Sequence, residues 1–319
     1  MGTALPLNLK SCGSSLADLC LDDYYRELLS RLQPDGGFQF SPHPHSGSRP
    51  DATAWAIFAI EISGQVQTSL APSRNYLATY QHEDGRVSID VDHPEAYWPT
   101  PLAIFAWQSS PAHARQYRKA VHFILGSSGE HWTKQTDSPL KHDTAIRGWP
   151  WIDQTHSWVE STSMAMIALH YAGHTHHPRS EEATELLLDR QLPHGGWNYG
   201  NTEVFGNELR PSPEDTGAAL SALAGRISET RIAGSLQYLS NEVRTLRTPI
   251  ALGWSLLGLN AWNKTPHDAN VWILDTFNRG KSFGGYDTPS ICLLLTASVA
   301  SRGLNNVESH LRKPMPRRA

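Results

Sequence analysis

A short turn rich in glycine and aromatic residues recurs four times along the chain, and it constrains the fold more than any other feature. The turns lie at residues 33–38, 81–86, 191–197 and 284–286. Each turn follows a polar amphipathic segment and precedes an apolar segment. A unit that recurs at roughly 45 residues indicates a repeat protein, in which each unit buries its apolar face against its neighbours.

Each apolar segment opens near a threonine, and these four threonines are Thr53, Thr100, Thr216 and Thr288. Two further units have weaker turns. They cover about 113–172, with Thr162 in the apolar segment, and about 228–263, where the apolar segment opens at Thr248. We therefore expect six helical hairpins that occupy nearly the whole chain.

The two segments of a unit differ in their hydrophobic pattern. Segment 180–190 carries one apolar stripe opposite a row of carboxylates, as a surface helix does. The segments that begin near the threonines are apolar nearly all round and rich in alanine, so we expect them to be buried on both sides. A closed ring of hairpins satisfies both patterns, because its inner helices face an axis and its outer helices face water. The prediction is an all-α fold, an (α/α)6 toroid with a cavity at its mouth.

The repeats also predict the domain limits. We expect an N-terminal extension at 1–19, a single toroid domain at 20–303 and a basic C-terminal tail at 304–319. The formal net charge of -4 offers no electrostatic basis for binding nucleic acid. The basic tail is typical of a solvated segment, and peripheral contact with an anionic membrane surface is the alternative.

The compartment is predicted from three absences in the sequence. No apolar run approaches the roughly 20 residues of a membrane span, and the N-terminus lacks the pattern of a signal peptide. The three cysteines have neither the spacing of a zinc site nor the even number of a disulfide framework. We therefore expect a reducing, cytoplasmic setting.

The turns at 33–38 (Gln-Pro-Asp-Gly-Gly-Phe) and 191–197 (Gln-Leu-Pro-His-Gly-Gly-Trp) resemble the repeat signature of the squalene–hopene cyclase and protein prenyltransferase β-subunit superfamily. The segments 148–151 (Gly-Trp-Pro-Trp) and 196–200 (Gly-Trp-Asn-Tyr-Gly) strengthen the resemblance, which covers about residues 20 to 300. It implies a terpenoid-cyclase-like toroid that binds a small isoprenoid or other apolar substrate. A prenyltransferase β-subunit works with an α-subunit, so the resemblance also leaves a protein partner open.

The resemblance suggests where an acid would lie. Class II cyclases carry Asp-x-Asp-Asp-Thr before an inner helix, and the middle Asp protonates an alkene or epoxide. Here residues 212–216 read Ser-Pro-Glu-Asp-Thr, so the resemblance implies Glu214 as proton donor with Asp215 beside it. Asp92 with His93 is the reserve candidate, in a different register.

Other carboxylates near the starts of the inner segments have a simpler interpretation. Asp, Ser and Thr cap helix N-termini, where negative charge is also favoured by the helix dipole. Asp51 and Asp287 lie just before a threonine and are expected to be caps.

The segment 148–160 contains the densest group of aromatic and titratable side chains in the sequence. Tryptophan rings there could form the wall of an apolar cavity, and their π faces stabilise cations. We expect the substrate-binding side chains to be Trp98, Trp149, Trp151, Trp158, Trp197, Tyr199, Glu160 and Trp254.

Metal binding remains open in the sequence. Protonation-initiated cyclisation requires no cofactor. In the prenyltransferase β-subunits the loop that corresponds to 148–160 ligates zinc through Asp and Cys, and here Asp153 lacks that cysteine and has His156 as its nearest downstream imidazole. Zinc or magnesium is therefore expected only under the prenyltransferase-like interpretation.

Four functions remain open at this point. They are a terpene-cyclase-like enzyme with acid-initiated cyclisation, a zinc-dependent prenyltransferase-like enzyme, a carbohydrate-active toroid lyase or hydrolase, and a non-catalytic toroid that binds a lipid or a protein. The turn signature favours the first, which would act as an isomerase. Fold alone does not decide among them.

Overall fold

The computed structural model describes residues 16–43, 45–64, 69–135 and 138–309. Within these ranges the chain forms twelve α-helices and one two-stranded β-hairpin. The helices are α1 (Leu16–Ser30), α2 (Pro50–Ser63), α3 (Ala71–Thr79), α4 (Pro99–Trp107), α5 (Ala114–Gly126), α6 (Val159–Tyr171), α7 (Pro178–Asp189), α8 (Pro213–Leu223), α9 (Ala233–Glu242), α10 (Pro249–Ala261), α11 (Ala269–Ser282) and α12 (Thr288–Val299). The hairpin pairs β1 (Glu203–Val204) with β2 (Asn207–Glu208).

The even-numbered helices form a closed inner ring. Each of them contacts the next even-numbered helix along the chain, and α12 contacts α2. The odd-numbered helices lie outside this ring. Each outer helix packs against the inner helix that precedes it in the chain, and α1 takes the equivalent place against α12. This arrangement confirms the predicted (α/α)6 toroid of six hairpins.

The inner helices are buried on all sides because they lack polar faces. All nine residues of α4 are buried. Glycine allows the closest approach, between α8 and α10, where a Cβ atom on Gly217 would lie 2.2 Å from the carbonyl oxygen of Trp254. The amphipathic outer helices complete the second layer, as their single apolar stripes predict.

Threonine hydroxyls join the turns to the inner helices. In four hairpins a backbone N–H donates to the Oγ1 atom of a threonine in the inner helix. The pairs are Phe38 with Thr53 at 2.8 Å, Val87 with Thr100 at 2.9 Å, Trp149 with Thr162 at 3.0 Å and Trp197 with Thr216 at 2.9 Å. Each donor is the aromatic or apolar residue that ends a turn, and each acceptor is fully buried. These bonds explain why a threonine follows the turn in the repeat.

Turn glycines lie against the next outer helix. Gly85 has a φ of +103°, and a Cβ atom there would lie 2.1 Å from the carbonyl oxygen of Lys119 in α5. Gly195 has a φ of +97°, and its Cβ would lie 2.5 Å from the backbone of Gly234 in α9. Only glycine satisfies both the left-handed conformation and the close contact.

The described residues also bear on the predicted ends of the domain. Helix α1 begins at Leu16, inside the segment assigned to the N-terminal extension, and residues 1–15 lie outside the described residues. At the other end, Leu304–Ser309 form a 3₁₀-helix on the toroid rather than part of a tail. Asn305 there donates to the carbonyl oxygen of Ser221 at 3.0 Å. The basic residues of the tail lie beyond the described ranges.

Among the helices of the described ranges, none combines the length and apolar character that crossing a membrane requires.

Replacing Thr162 by valine should destabilise the protein by about 1–3 kcal/mol, because the substitution leaves the buried Trp149 N–H without an acceptor. Chemical denaturation measures this change. Thr245→Val is the matched control, since Thr245 is exposed and its hydroxyl bonds only within its own turn. Equal stability of the two variants would contradict the role assigned to the threonine.

Replacing Gly85 by alanine should cost more stability than replacing Gly225. Gly225 also has a positive φ, +77°, but no described atom lies within 4 Å of its virtual Cβ. Gly225→Ala therefore measures backbone strain alone, about 1–2 kcal/mol, and Gly85→Ala adds the clash with Lys119. Thermal unfolding of both variants tests this, and equal losses would show that the contact contributes nothing.

Candidate active site in the central cavity

A cavity of about 340 Å³ opens at the end of the toroid where the inner helices begin. Five inner helices contribute to it, because the outer-to-inner turns and the first helical turns converge on the axis at this end. Its lining residues are Phe40, Arg49, Asp51, Trp55, Tyr97, Trp98, Pro101, Leu102, Ile124, Trp149, Pro150, Trp151, Glu160, Ser161, Met164, Ala165, Ile250, Trp254, Asp287, Pro289, Ser290 and Leu293.

Tryptophan rings form much of the wall. Trp98 and Trp151 meet edge to face with 5.6 Å between ring centroids, and Trp55 meets Trp254 in the same way at 6.3 Å. Trp149 is held from behind: its Nε1 donates to the carbonyl oxygen of Ile124 at 2.9 Å, and the Arg179 guanidinium lies 4.4 Å from its ring centroid. The cavity therefore presents rigid π surfaces with few polar atoms.

Glu160 is the titratable side chain with the most unusual environment in this cavity. It is the second residue of α6 and is half-buried, and no side chain or backbone group of the described residues hydrogen-bonds its carboxyl. Burial, followed by the charges of Asp215 and Glu214, raises the pKa of Glu160 to about 8. At neutral pH this carboxyl is mostly protonated, so it presents an O–H group to an aromatic cavity.

Asp215 is held by Ser212, the N-cap of helix α8. The Ser212 Oγ accepts from the Asp215 backbone N–H at 3.2 Å and donates to the Asp215 carboxylate at 2.7 Å. Burial raises the pKa of Asp215, and the Ser212 hydrogen bond opposes that rise. Neither Asp215 nor Glu214 belongs to the cavity lining. Both act on the cavity through their charge on Glu160.

The two expected caps behave differently. Asp287 caps α12, since its Oδ1 accepts from the Ser290 N–H at 2.8 Å. Asp51 makes no side-chain cap on α2. Its two carboxylate oxygens instead accept from the Arg49 guanidinium, one from Nε at 3.0 Å and the other from Nη2 at 2.7 Å. Burial raises the pKa of Asp51 while the Arg49 charge opposes the rise. Arg49 also stacks over Phe40, 3.7 Å from the ring centroid.

The reserve acid candidates lie away from the cavity. Asp92 and His93 occupy an exposed loop, where His93 Nδ1 pairs with Asp90 Oδ1 at 2.8 Å. That contact raises the pKa of His93. Both residues lie about eight positions before Thr100, so they are outside the start of inner helix α4, which faces the axis.

The two candidate metal ligands, Asp153 and His156, have the following surroundings. Asp153 is exposed, and its backbone N–H donates to the Glu95 carbonyl at 3.0 Å. The His156 ring instead lies on Trp158, with 4.2 Å between centroids. Within the described part of the chain no group of three His, Cys, Asp or Glu side chains is arranged to hold a metal ion.

The expected substrate-binding residues divide into three groups. Trp98, Trp149, Trp151, Glu160 and Trp254 line the central cavity. Trp158 and Tyr199 line a separate, smaller pocket. Trp197 lines neither, because its ring is fully buried and donates to the Leu187 carbonyl at 2.6 Å.

Several lining residues were missed in the sequence although a signal for them existed. They follow a residue at the helix start by one turn, and the pairs are Asp51 with Trp55, Trp98 with Leu102, Glu160 with Met164, and Pro289 with Leu293. Positions i and i+4 share a helix face, so these pairs mark the stripe that faces the axis. In a uniformly apolar helix this stripe is hard to recognise from the sequence, because no polar face indicates which side of the helix faces the axis.

No family model and no curated protein matches this chain. Solved structures with a similar fold include a protein from Actinoplanes, at 14% identity and a TM-score of 0.59, with 89% of this chain and 99% of that chain covered. The type II terpene cyclase MstE from Scytonema matches at 12% identity and a TM-score of 0.58, over 92% of this chain and 98% of that chain.

An α-1,6-mannanase, GH76A of Salegentibacter sp., matches at 10% identity and a TM-score of 0.55, over 91% of this chain and 99% of that chain. MstE was solved with geranylgeranyl dihydroxybenzoate and the mannanase with α-1,6-mannotriose. At these identities the likeness establishes the toroid fold alone. The chemistry of this chain has to be argued from its own cavity.

Proposed function

We propose that this chain is a terpene-cyclase-like enzyme that binds an isoprenoid or other apolar substrate in the central cavity and starts cyclisation with a proton from Glu160. The observation that carries this proposal is the position of Glu160, a half-buried carboxyl that lines a cavity walled by tryptophan and has no hydrogen-bond partner among the described residues. A general acid must hold its proton when the substrate arrives, and the environment of Glu160 supplies that condition at neutral pH.

The proposed step moves one proton. Glu160 donates it to an alkene carbon, the π bond supplies the electron pair for the new C–H bond, and the other alkene carbon becomes a cation. A second alkene of the substrate then attacks that cation and closes a ring. A neighbouring carbon then loses a proton to water, and the Glu160 carboxylate takes up a proton from solvent, so the net change is an isomerisation. Each cation–π contact with a ring such as Trp98 or Trp151 contributes roughly 0.5–2 kcal/mol.

The sequence favoured Glu214 as the donor. Because Glu214 and Asp215 do not line the cavity, we assign the donor role to Glu160 and an electrostatic role to the other two. Burial raises the pKa of Glu160 most, and the charges of Asp215 and Glu214 add to that rise. These roles follow from a general rule: when several carboxyl groups lie close together, the charge on one raises the pKa of another.

A glycoside hydrolase is the alternative to exclude. It needs a second carboxylate that is free to act as nucleophile or base. In this cavity Asp51 is bound by Arg49 through both oxygens, and Asp287 caps α12. The mostly apolar wall also suits an isoprenoid chain better than a polyol. These features favour the cyclase proposal.

Thermal shift distinguishes the substrate classes, because a ligand that binds only the folded state raises Tm. We expect geranylgeraniol and squalene to raise Tm and α-1,6-mannotriose to leave it unchanged.

Chelator and added zinc should have no effect on conversion of a prenylated substrate. Stabilisation by mannotriose alone would favour the hydrolase, and loss of activity with chelator that zinc restores would favour the prenyltransferase-like alternative.

Replacing Glu160 by glutamine should reduce turnover by at least about 10²-fold, since general acid catalysis contributes roughly 10²- to 10⁴-fold. The amide is isosteric, so folding and substrate affinity should stay close to those of the wild type. Asp92→Asn, on the exposed loop, is the control and should retain activity. Normal turnover by Glu160→Gln in single-turnover assays would exclude Glu160 as the donor.

Activity and stability should both depend on pH through Glu160. The pKa of Glu160 is raised from 4.5 to about 8 on folding, so the stabilisation by its proton is complete below 4.5 and is lost as pH rises through 8. We expect turnover to fall above about pH 8, and wild-type stability to decline relative to Glu160→Gln between these values. Denaturation at a series of pH values measures the difference, and a difference independent of pH would contradict the raised pKa.

A further inference from the structure

A second pocket of about 120 Å³ lies outside the central cavity, on the other side of segment 148–158. Residues from the loop before that segment, from the end of α7 and from 199–201 line it. Its lining does not overlap with that of the central cavity, and the function proposed above does not use it.

His142 is the residue that marks this pocket as a binding site. Its side chain lines the pocket and is only 6% exposed. Its Nδ1 atom has no hydrogen-bond partner among the described residues. Buried polar atoms in native proteins are almost always paired, with protein, water or ligand. The imidazole therefore brings a buried, unpaired polar atom to the wall of the pocket.

Arg190 and Lys134 act on this imidazole through their positive charge. Arg190 is buried, ion-paired with Asp189, and donates to the Asp143 carbonyl at 3.0 Å. Burial, then Arg190, Lys134 and His156, lower the pKa of His142 to about 4, with Asp143 acting in the opposite direction.

Burial and Arg190 also lower the pKa of His156. The charged residues that line the pocket are Arg190, which is buried, and Glu130, which is exposed. The guanidinium of Arg190 is the lining group that attracts a negatively charged ligand.

Aromatic rings form part of the remaining wall. Trp158 lies between the His156 ring and Tyr199, with centroid distances of 4.2 and 5.8 Å. Trp132 and Tyr199 are each 46% exposed, which is unusual for side chains of this size. These rings offer flat surfaces for a planar ligand body.

We propose that this pocket binds a small organic anion, a carboxylate or phosphate carried on a planar ring, with the anion at His142 and Arg190 and the ring against Trp132, Trp158 and Tyr199. Binding in this pocket is independent of the reaction proposed for the central cavity.

The test titrates the wild-type protein with benzoate, phenyl phosphate and the neutral control benzyl alcohol. Imidazole ¹⁵N and ¹H NMR reports directly on His142. We expect saturable shifts of the His142 resonances with one or both anions, and at least about tenfold weaker binding of benzyl alcohol. The better of the two anions identifies the charged group. Binding of benzyl alcohol as tight as that of the anions, or absence of saturable binding, would overturn the proposal.

Substitution locates the bound anion. His142→Leu should weaken binding of the preferred anion at least about tenfold and leave the thermal shift with geranylgeraniol unchanged. His122→Leu, at an exposed position on α5 outside the pocket, is the matched control and should bind as the wild type does. Unchanged affinity of His142→Leu would overturn the proposal. If that variant does not fold, the NMR titration of the wild type decides the question alone.

Discussion

The hydrogen bond from a turn N–H to a buried threonine hydroxyl is the interaction on which the rest of the toroid depends. In four of the six hairpins it joins the turn to the first turns of an inner helix, for example Trp149 to Thr162 and Trp197 to Thr216. The glycines of three turns also lie against the next outer helix. One bond therefore positions an inner helix, its turn and the neighbouring hairpin together. Thr288 adapts the same chemistry to close the ring, accepting from Arg31 at 3.0 Å and donating to the Gln39 carbonyl at 2.5 Å.

This construction brings carboxyl groups together at one end of the molecule. Glu160 lies at the N-terminus of α6, where the helix dipole favours a charged carboxylate by about 0.3–1 kcal/mol. That is less than one pKa unit, which corresponds to about 1.4 kcal/mol. The rise of the Glu160 pKa from 4.5 to about 8 is larger. Burial beside Asp215 and Glu214 therefore prevails over the dipole, and the acid stays neutral.

Segment 148–158 separates two sites of different chemistry. The Trp158 N–H donates to the Trp149 carbonyl at 3.1 Å, so the segment doubles back on itself. Trp149 and Trp151 face the central cavity, whereas His156 and Trp158 face the second pocket. The dense group of aromatic and titratable residues in the sequence is thus the wall between an apolar cavity and a cationic pocket.

The sequence by itself determined the six hairpins, the inner and outer helices and the end of the toroid at which a cavity opens. Those features depend on local periodicity and on glycine turns, which neighbouring residues encode. It also indicated Trp98, Trp149, Trp151, Glu160 and Trp254, because aromatic and acidic residues cluster near helix starts. Only the tertiary structure decided that Glu160 rather than Glu214 faces the cavity and that His142 lacks a partner. Those outcomes depend on the rotation of uniformly apolar helices and on burial by distant segments, which no local pattern records.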